Sequence, residues 1–236
     1  MDIRVAVMVD SAFYQKRANS LFGRATGQER AEELVAYCNR HIKKTQTVNE
    51  YLYRIFVYDC PPSEKVVYNP LSGKSVNLKK TDLYTWSIDF HKALISKRKV
   101  ALRLGELLES TAGYILKPEA TKKLCRKDIT VDDLTENDFY LDIKQKGVDM
   151  RIGLDISSLA QKKQVDQIVL IAGDSDFVPA AKYARREGID FILDPMWQPI
   201  RPSLYEHIDG LKSQVPKPPD NEKDELFKGI KRETAE

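Results

Sequence analysis

The sequence predicts an α/β protein, a three-layer α/β/α sandwich built on a mostly parallel central sheet. Three observations predict it. Apolar runs recur at Arg4–Val9, Gln167–Ile171 and Ile189–Leu193, as expected of strands buried on both faces. Segments with apolar residues at helical spacing separate the runs, and such alternation favours a parallel sheet with crossover helices. Asp or Gly marks several of the junctions, as in Ala172-Gly173-Asp174-Ser175-Asp176-Phe177, where a strand turns into a helix.

Arg4-Val5-Ala6-Val7-Met8-Val9 is the first strand, and Asp10 terminates it. A connection containing Gly and Arg leads to a helix over about residues 28 to 44, with Ala31, Leu34, Val35, Cys38 and Ile42 at helical spacing. Tyr51 to Tyr58, rich in aromatic and β-branched residues, is the second strand, stopped by Asp59-Cys60-Pro61-Pro62. Residues 61–89 are polar, turn at Asn69-Pro70-Leu71-Ser72-Gly73-Lys74, and read as a surface excursion. A helix then runs through Phe90, Ala93, Leu94 and Ile95. Val100–Leu104 and Gly113–Leu116 read as a strand pair, with continuation of the helix through residue 109 as the alternative. The charged, weakly periodic segment 117–146 is expected to cross the surface.

Gly147-Val148-Asp149 opens a helix containing Ile152, Ile156 and Leu159. Gln167–Ile171 is the fourth main strand, and the helix after it stops at Glu187-Gly188. Ile189–Leu193 is the fifth strand, followed by a final helix over about 203 to 212. One domain is expected over residues 1–213. The segment 214–236, charged and rich in proline with few apolar residues, reads as a flexible tail.

Composition excludes several classes. The net charge of +3, from 38 basic and 35 acidic residues, announces no global affinity for nucleic acid. Cys38, Cys60 and Cys125 are odd in number and lack Cys-x-x-Cys spacing, so reduced thiols are expected rather than a disulfide framework or a cysteine zinc site. Met1-Asp2-Ile3-Arg4-Val5 enters a strand without a signal-peptide core, and no apolar run approaches membrane-spanning length. A cytoplasmic protein without membrane contact is the expectation.

The chemistry concentrates in four aspartates. Asp10 ends the first strand, Asp174 and Asp176 follow the fourth, and Asp149 opens the helix that leads back to that fourth strand. If the first and fourth strands are neighbours, as in the order 3-2-1-4-5, all four meet at the switch point where open α/β sheets bind ligands. Carboxylates crowded there raise one another's pKa, and a divalent cation resolves the conflict. Hard oxygen donors select Mg2+ or Mn2+. Taken singly, each Asp also reads as a turn former or helix cap, and Asp176 in particular is expected to cap the helix that Pro179 enters. Asp155 should point elsewhere on its helix, and Asp194 has the right sheet edge but no motif.

Gln145-Lys146-Gly147-Val148-Asp149, the helix continuing to Asp155, and Val169 through Pro179, taken with Val7-Met8-Val9-Asp10, resemble the NYN domain family. That family, of the PIN-like nuclease superfamily, includes the LabA-like proteins. The resemblance spans roughly residues 3 to 195 and is most specific at Gly-Asp-Ser-Asp-Phe. It implies a PIN-like, Rossmann-like fold and a metal-dependent ribonuclease with Asp10, Asp149, Asp174 and Asp176 at the acidic ligand positions. Many relatives carry Asn three residues after the first Asp, whereas this chain has Phe13.

Such a site would hydrolyse an RNA phosphodiester with metal-activated water and no covalent nucleophile. The sequence leaves one or two metals, and the oligomeric state, open. Lys16, Arg17, Lys144 and Lys146 lie beside the acidic positions and are candidates for RNA phosphate contact, against the alternative of solvated surface charge. Tyr14 or Trp197 would stack on a base unless they pack in the interior. A phosphoaspartyl mechanism lacks its second acid, because Ala12 stands where Asp-x-Asp would need it. No glycine-rich turn follows the first strand for a dinucleotide, and His41, His91 and His207 are scattered without a nucleophile. The alternative from another class is a catalytically silent module that binds RNA, a nucleotide or a metal.

Overall fold

The computed structural model describes residues 2–45 and 47–217. β1 (Asp2–Asp10) is central, with Val5 through Val9 fully buried. α1 (Ser11–Phe22), α2 (Gly27–Asn39) and β2 (Asn49–Asp59) follow. A hairpin of β3 (Val66–Tyr68) and β4 (Ser75–Asn77) precedes α3 (Asp82–Ile95) and β5 (Val100–Leu104). Next come β6 (Glu106–Leu107), β7 (Gly113–Leu116), α4 (Pro118–Cys125), β8 (Phe139–Asp142) and β9 (Gln145–Lys146), with β6 antiparallel to β9 and β7 antiparallel to β8. The chain closes with α5 (Val148–Gln161), β10 (Gln167–Ile171), α6 (Val178–Arg186), β11 (Asp190–Asp194), α7 (Pro202–Tyr205) and β12 (Gly210–Leu211).

Six strands form one parallel sheet in the order β12-β11-β10-β1-β2-β5. In chain order those strands run 3-2-1-4-5-6, so the neighbours that the site requires, β1 and β10, do pair, with Val9 opposite Ile171. Alternation along β1 sends Val5, Val7 and Val9 to one face, where Tyr14, Leu34 and Phe90 of α1, α2 and α3 cover them. Ala6 and Met8 meet Ile152, Ile156 and Ala181 of α5 and α6 on the other. The fold is the expected three-layer α/β/α sandwich.

Several elements differ from expectation. The connection after Asp10 is a helix, α1, whose buried Ser11, Tyr14 and Ala18 share one face between exposed polar residues. α2 starts at a capping box between Thr26 and Glu29 and ends at Asn39, not near residue 44. α3 begins at Asp82, where the Thr81 side chain accepts from Tyr84 N, so the excursion ends earlier than residue 89. β5 and β7 do not pair with each other. β5 joins β2 in the main sheet, where Val100 and Leu102 pack against the core under α3, and β7 pairs with β8. Helix continuation to residue 109 stops at α3's end at Ile95, and Lys99 then adopts a φ of 63°. The final helix shrinks to α7, because Asp209 accepts from Phe191 N and Gly210–Leu211 adds β12 beside β11. The tail expected to be flexible falls, from residue 218 on, outside the described residues.

Candidate metal centre

Asp10 ends β1 with extended backbone and caps α1, its Oδ1 accepting from Phe13 N at 3.1 Å. Burial pushes its carboxyl up to about 6, and the negative charges of Asp149 and Asp59 add to the effect. Gly147, with a φ of 80°, supplies the left-handed turn that starts α5, and it places Asp149 in the first turn, where the helix dipole favours a negative charge. The Asp149 carboxyl is raised by partial burial and by the charges of Asp174 and Asp176. These two occupy the turn after β10 and are exposed. Asp174, not Asp176, acts as the cap: its Oδ1 accepts from Asp176 N at 3.1 Å, because the residue before the 3-10 turn Ser175–Phe177 has the extended backbone a cap needs. Pro179 does sit in the first turn of α6, as its missing N–H allows.

Asp149 thus lies within electrostatic reach of Asp10 on one side and of Asp174 and Asp176 on the other, around the carboxyl ends of β1 and β10. Among the described residues no three His, Cys, Asp or Glu side chains are close enough together to grip an ion unaided. The donors are chemically of the hard-oxygen type, as a divalent cation of the magnesium kind requires. All are carboxylate oxygens, their charges oppose one another, and magnesium characteristically keeps waters and takes only one or two direct carboxylates.

Asp59, read from sequence only as a strand stop, is the member that sequence reasoning missed. It ends β2 beside Asp10, buried, and its Oδ2 is hydrogen-bonded by Ser11 Oγ at 2.8 Å, Gln15 Nε2 at 3.3 Å and His91 Nε2 at 3.0 Å. Its Oδ1 accepts from Cys60 N at 2.8 Å. Its position at the carboxyl end of a main strand was the available signal. Asp155 faces away, accepting from Tyr58 Oη at 2.8 Å and pairing with Arg103 at 3.3 Å. Asp194 is fully buried among Tyr37, His41 and the Met196 amide, a structural network.

The Phe13 ring lies on Gly173, so close that a Cβ at residue 173 would meet its Cε2 at 2.6 Å. Phe13, in the first turn of α1 after β1, thus packs on the turn that follows β10. Of the candidate cations, Lys16, Lys144 and Lys146 are exposed, whereas Arg17 donates Nε and Nη2 to Met196 O at 3.1 and 2.6 Å. Tyr14 is buried with its hydroxyl on Glu33, and Trp197 Nε1 donates to Val215 O, so both aromatics pack. The basic run Lys97-Arg98-Lys99 precedes β5, at the opposite, amino edge of the sheet.

The profile of the family described as NYN domain, a PIN-like nuclease family, matches residues 73–196. The matched span holds Asp149, Asp174 and Asp176 and begins after Asp10. No curated protein matches the chain. Among solved structures, a protein of unknown function from Vibrio parahaemolyticus is similar at 14% identity and a TM-score of 0.45, over 90% of this chain and 93% of that one.

Proposed function

The chain belongs to the NYN domain family, and from that premise we propose a metal-dependent ribonuclease that hydrolyses RNA phosphodiester bonds at Asp10, Asp149, Asp174 and Asp176. The observation that supports the reading is that β1 and β10 are neighbours at the sheet's switch point, with Asp149 in charge range both of Asp10 at the end of β1 and of Asp174 and Asp176 after β10. Mg2+ or Mn2+ bound there would supply an activated water and neutralise charge on the departing oxygen. The chain's own part is positional. Asp10 and Asp174 are locked by their cap bonds, Asp149 is fixed by the first turn of α5, and Lys16, Lys144 and Lys146 draw the phosphodiester toward the carboxylates. Among the described residues no helix is long and apolar enough to cross a membrane. Cys38, Cys60 and Cys125 are free thiols, which suits a reducing cytoplasm.

Asp174→Asn tests the reading cleanly, because Asn caps a helical turn as well as Asp does and should leave the fold unchanged. Metal-dependent cleavage of end-labelled RNA is expected to disappear in this variant; undiminished turnover would refute the assignment. Phe13 over Gly173 favours one second reading, a module that binds RNA or metal without cleaving, since an apolar ring rather than a polar side chain packs beside the turn that carries Asp174. Metal binding by the folded protein without cleavage of any RNA tried would select it.

A further inference from the structure

A cavity of about 250 Å³ opens beside Asp59, on the same sheet edge as the acidic crevice. Ala12 and Gln15 of α1 line its near side, and Gln145, just before the turn into α5, lines another. The rest of its wall is largely the work of the excursion after β2, which brings Pro61, Pro62 and Leu78 against Leu107. That segment is held rigidly. Lys65 Nζ donates to the carbonyls of Glu109 and Ala112 at 2.6 and 2.8 Å, and Ser63 Oγ donates to Glu109 at 2.8 Å.

The lining selects its occupant. Among the described residues that line it there is no Lys or Arg to hold a phosphate. Apolar walls with a few polar groups suit a flat, uncharged ring. At about 250 Å³ the cavity falls below the roughly 300–1,000 Å³ of sites for drug-sized molecules, and takes one ring system rather than a whole nucleotide. Gln15 is already oriented, its Nε2 donating to Ser11 Oγ at 2.9 Å and to Asp59, which leaves Oε1 to accept from a ring N–H.

We infer that this cavity is a base-binding subsite, which receives one unstacked nucleobase of single-stranded RNA while the neighbouring phosphodiester lies at the aspartates. The inference rests on the ribonuclease reading for its polymer but is tested by binding. The full chain carrying Asp174→Asn is titrated with short fluorescent single-stranded RNAs in which one abasic nucleotide is moved along the strand. One position should cost about tenfold in affinity, the scale of a lost base contact, while the remaining positions cost little. Ser87→Trp, on the α3 face of the cavity, should erase that dependence while leaving the thermal unfolding midpoint near that of the parent. Should Ser87→Trp fail to fold, Leu83→Ala at the exposed mouth, where no core packing is lost, should shrink the penalty to less than threefold.

A uniform loss at every position, an unchanged penalty in folded Ser87→Trp, or no RNA binding at all overturns the subsite. Free nucleoside monophosphates that bind as tightly as the oligonucleotide overturn it in favour of a mononucleotide site. Wild-type cleavage without a position-specific penalty sinks the subsite alone; a position-specific penalty without cleavage in Mg2+ or Mn2+ supports the subsite and sinks the nuclease reading alone.

Discussion

Asp10 carries a stability cost that its position imposes. In the folded chain its carboxyl is raised from an ordinary 3.8 to about 6, first by burial and then by Asp149 and Asp59. The native state therefore holds more protons than the unfolded chain between about pH 4 and pH 6, and stability from this group falls as pH rises through that window. The deficit at pH 7 is on the order of 2–3 kcal/mol. Asp10→Asn keeps an oxygen to accept from Phe13 N, so it should raise the unfolding midpoint at pH 7, and the gain should vanish below pH 4. Thermal melts of the two proteins across pH check this; a variant equally or less stable at pH 7 would contradict it. The placement of the four aspartates was legible in sequence because strand ends and helix starts can be read locally. Asp59 shares the strand-end signal, but what sets it apart is its meeting with Ser11, Gln15 and His91, residues distant in the chain or disguised as loop.

Among the elements, α2 and α3 approach closely at Gly27. A Cβ on Gly27 would stand 2.4 Å from Trp86 O and 2.7 Å from Phe90 N, both backbone atoms of a packed helix. Gly27→Ala should therefore destabilise by about 1–3 kcal/mol despite the better helix propensity of Ala. Gly113→Ala, which meets nothing within 4 Å, is the control for urea unfolding. Equal midpoints for the two variants would show that the helices can part without cost. The same kind of long-range contact explains which elements sequence reading lost. β1, β2, β10 and β11 announce themselves because burial on both faces leaves a continuous apolar run. α1 buries only a narrow stripe of Ser11, Tyr14 and Ala18, which resembles a polar connection until the sheet beneath it is known. Sequence reading finds β5 as a strand but with the wrong partner, and misses β12; both are edge strands, of five and two residues, whose partners are fixed by crossovers rather than by pattern.

At the scale of the molecule, a net charge of +3 gives no general attraction for RNA, so recruitment has to come from the distribution of charge. The two edges of the sheet differ. At the amino edge, Lys97 is paired with Glu32 and Lys99 donates to Leu52 O, while Lys182, Arg185 and Arg186 line an open groove where Arg185 is held by Asp209. At the carboxyl edge, Lys146 on β9 and Lys144 just before it are exposed on the segment that feeds Asp149. If the phosphate backbone runs over the carboxyl edge, each lysine neutralises one phosphate and contributes about 0.7 to the slope of log affinity against log salt for a single strand. The double variant Lys144→Glu, Lys146→Glu should weaken RNA binding and flatten that slope by about 1.4 or more. The corresponding reversal at Lys182 and Arg186 should leave the slope unchanged. Anisotropy titrations between 50 and 200 mM salt, over which a slope change of about 1.4 amounts to roughly 0.8 decade in affinity, decide between the edges. A slope that responds only to Lys182 and Arg186 would move the RNA path to the amino edge, away from the aspartates, and leave the carboxylate crevice without its substrate.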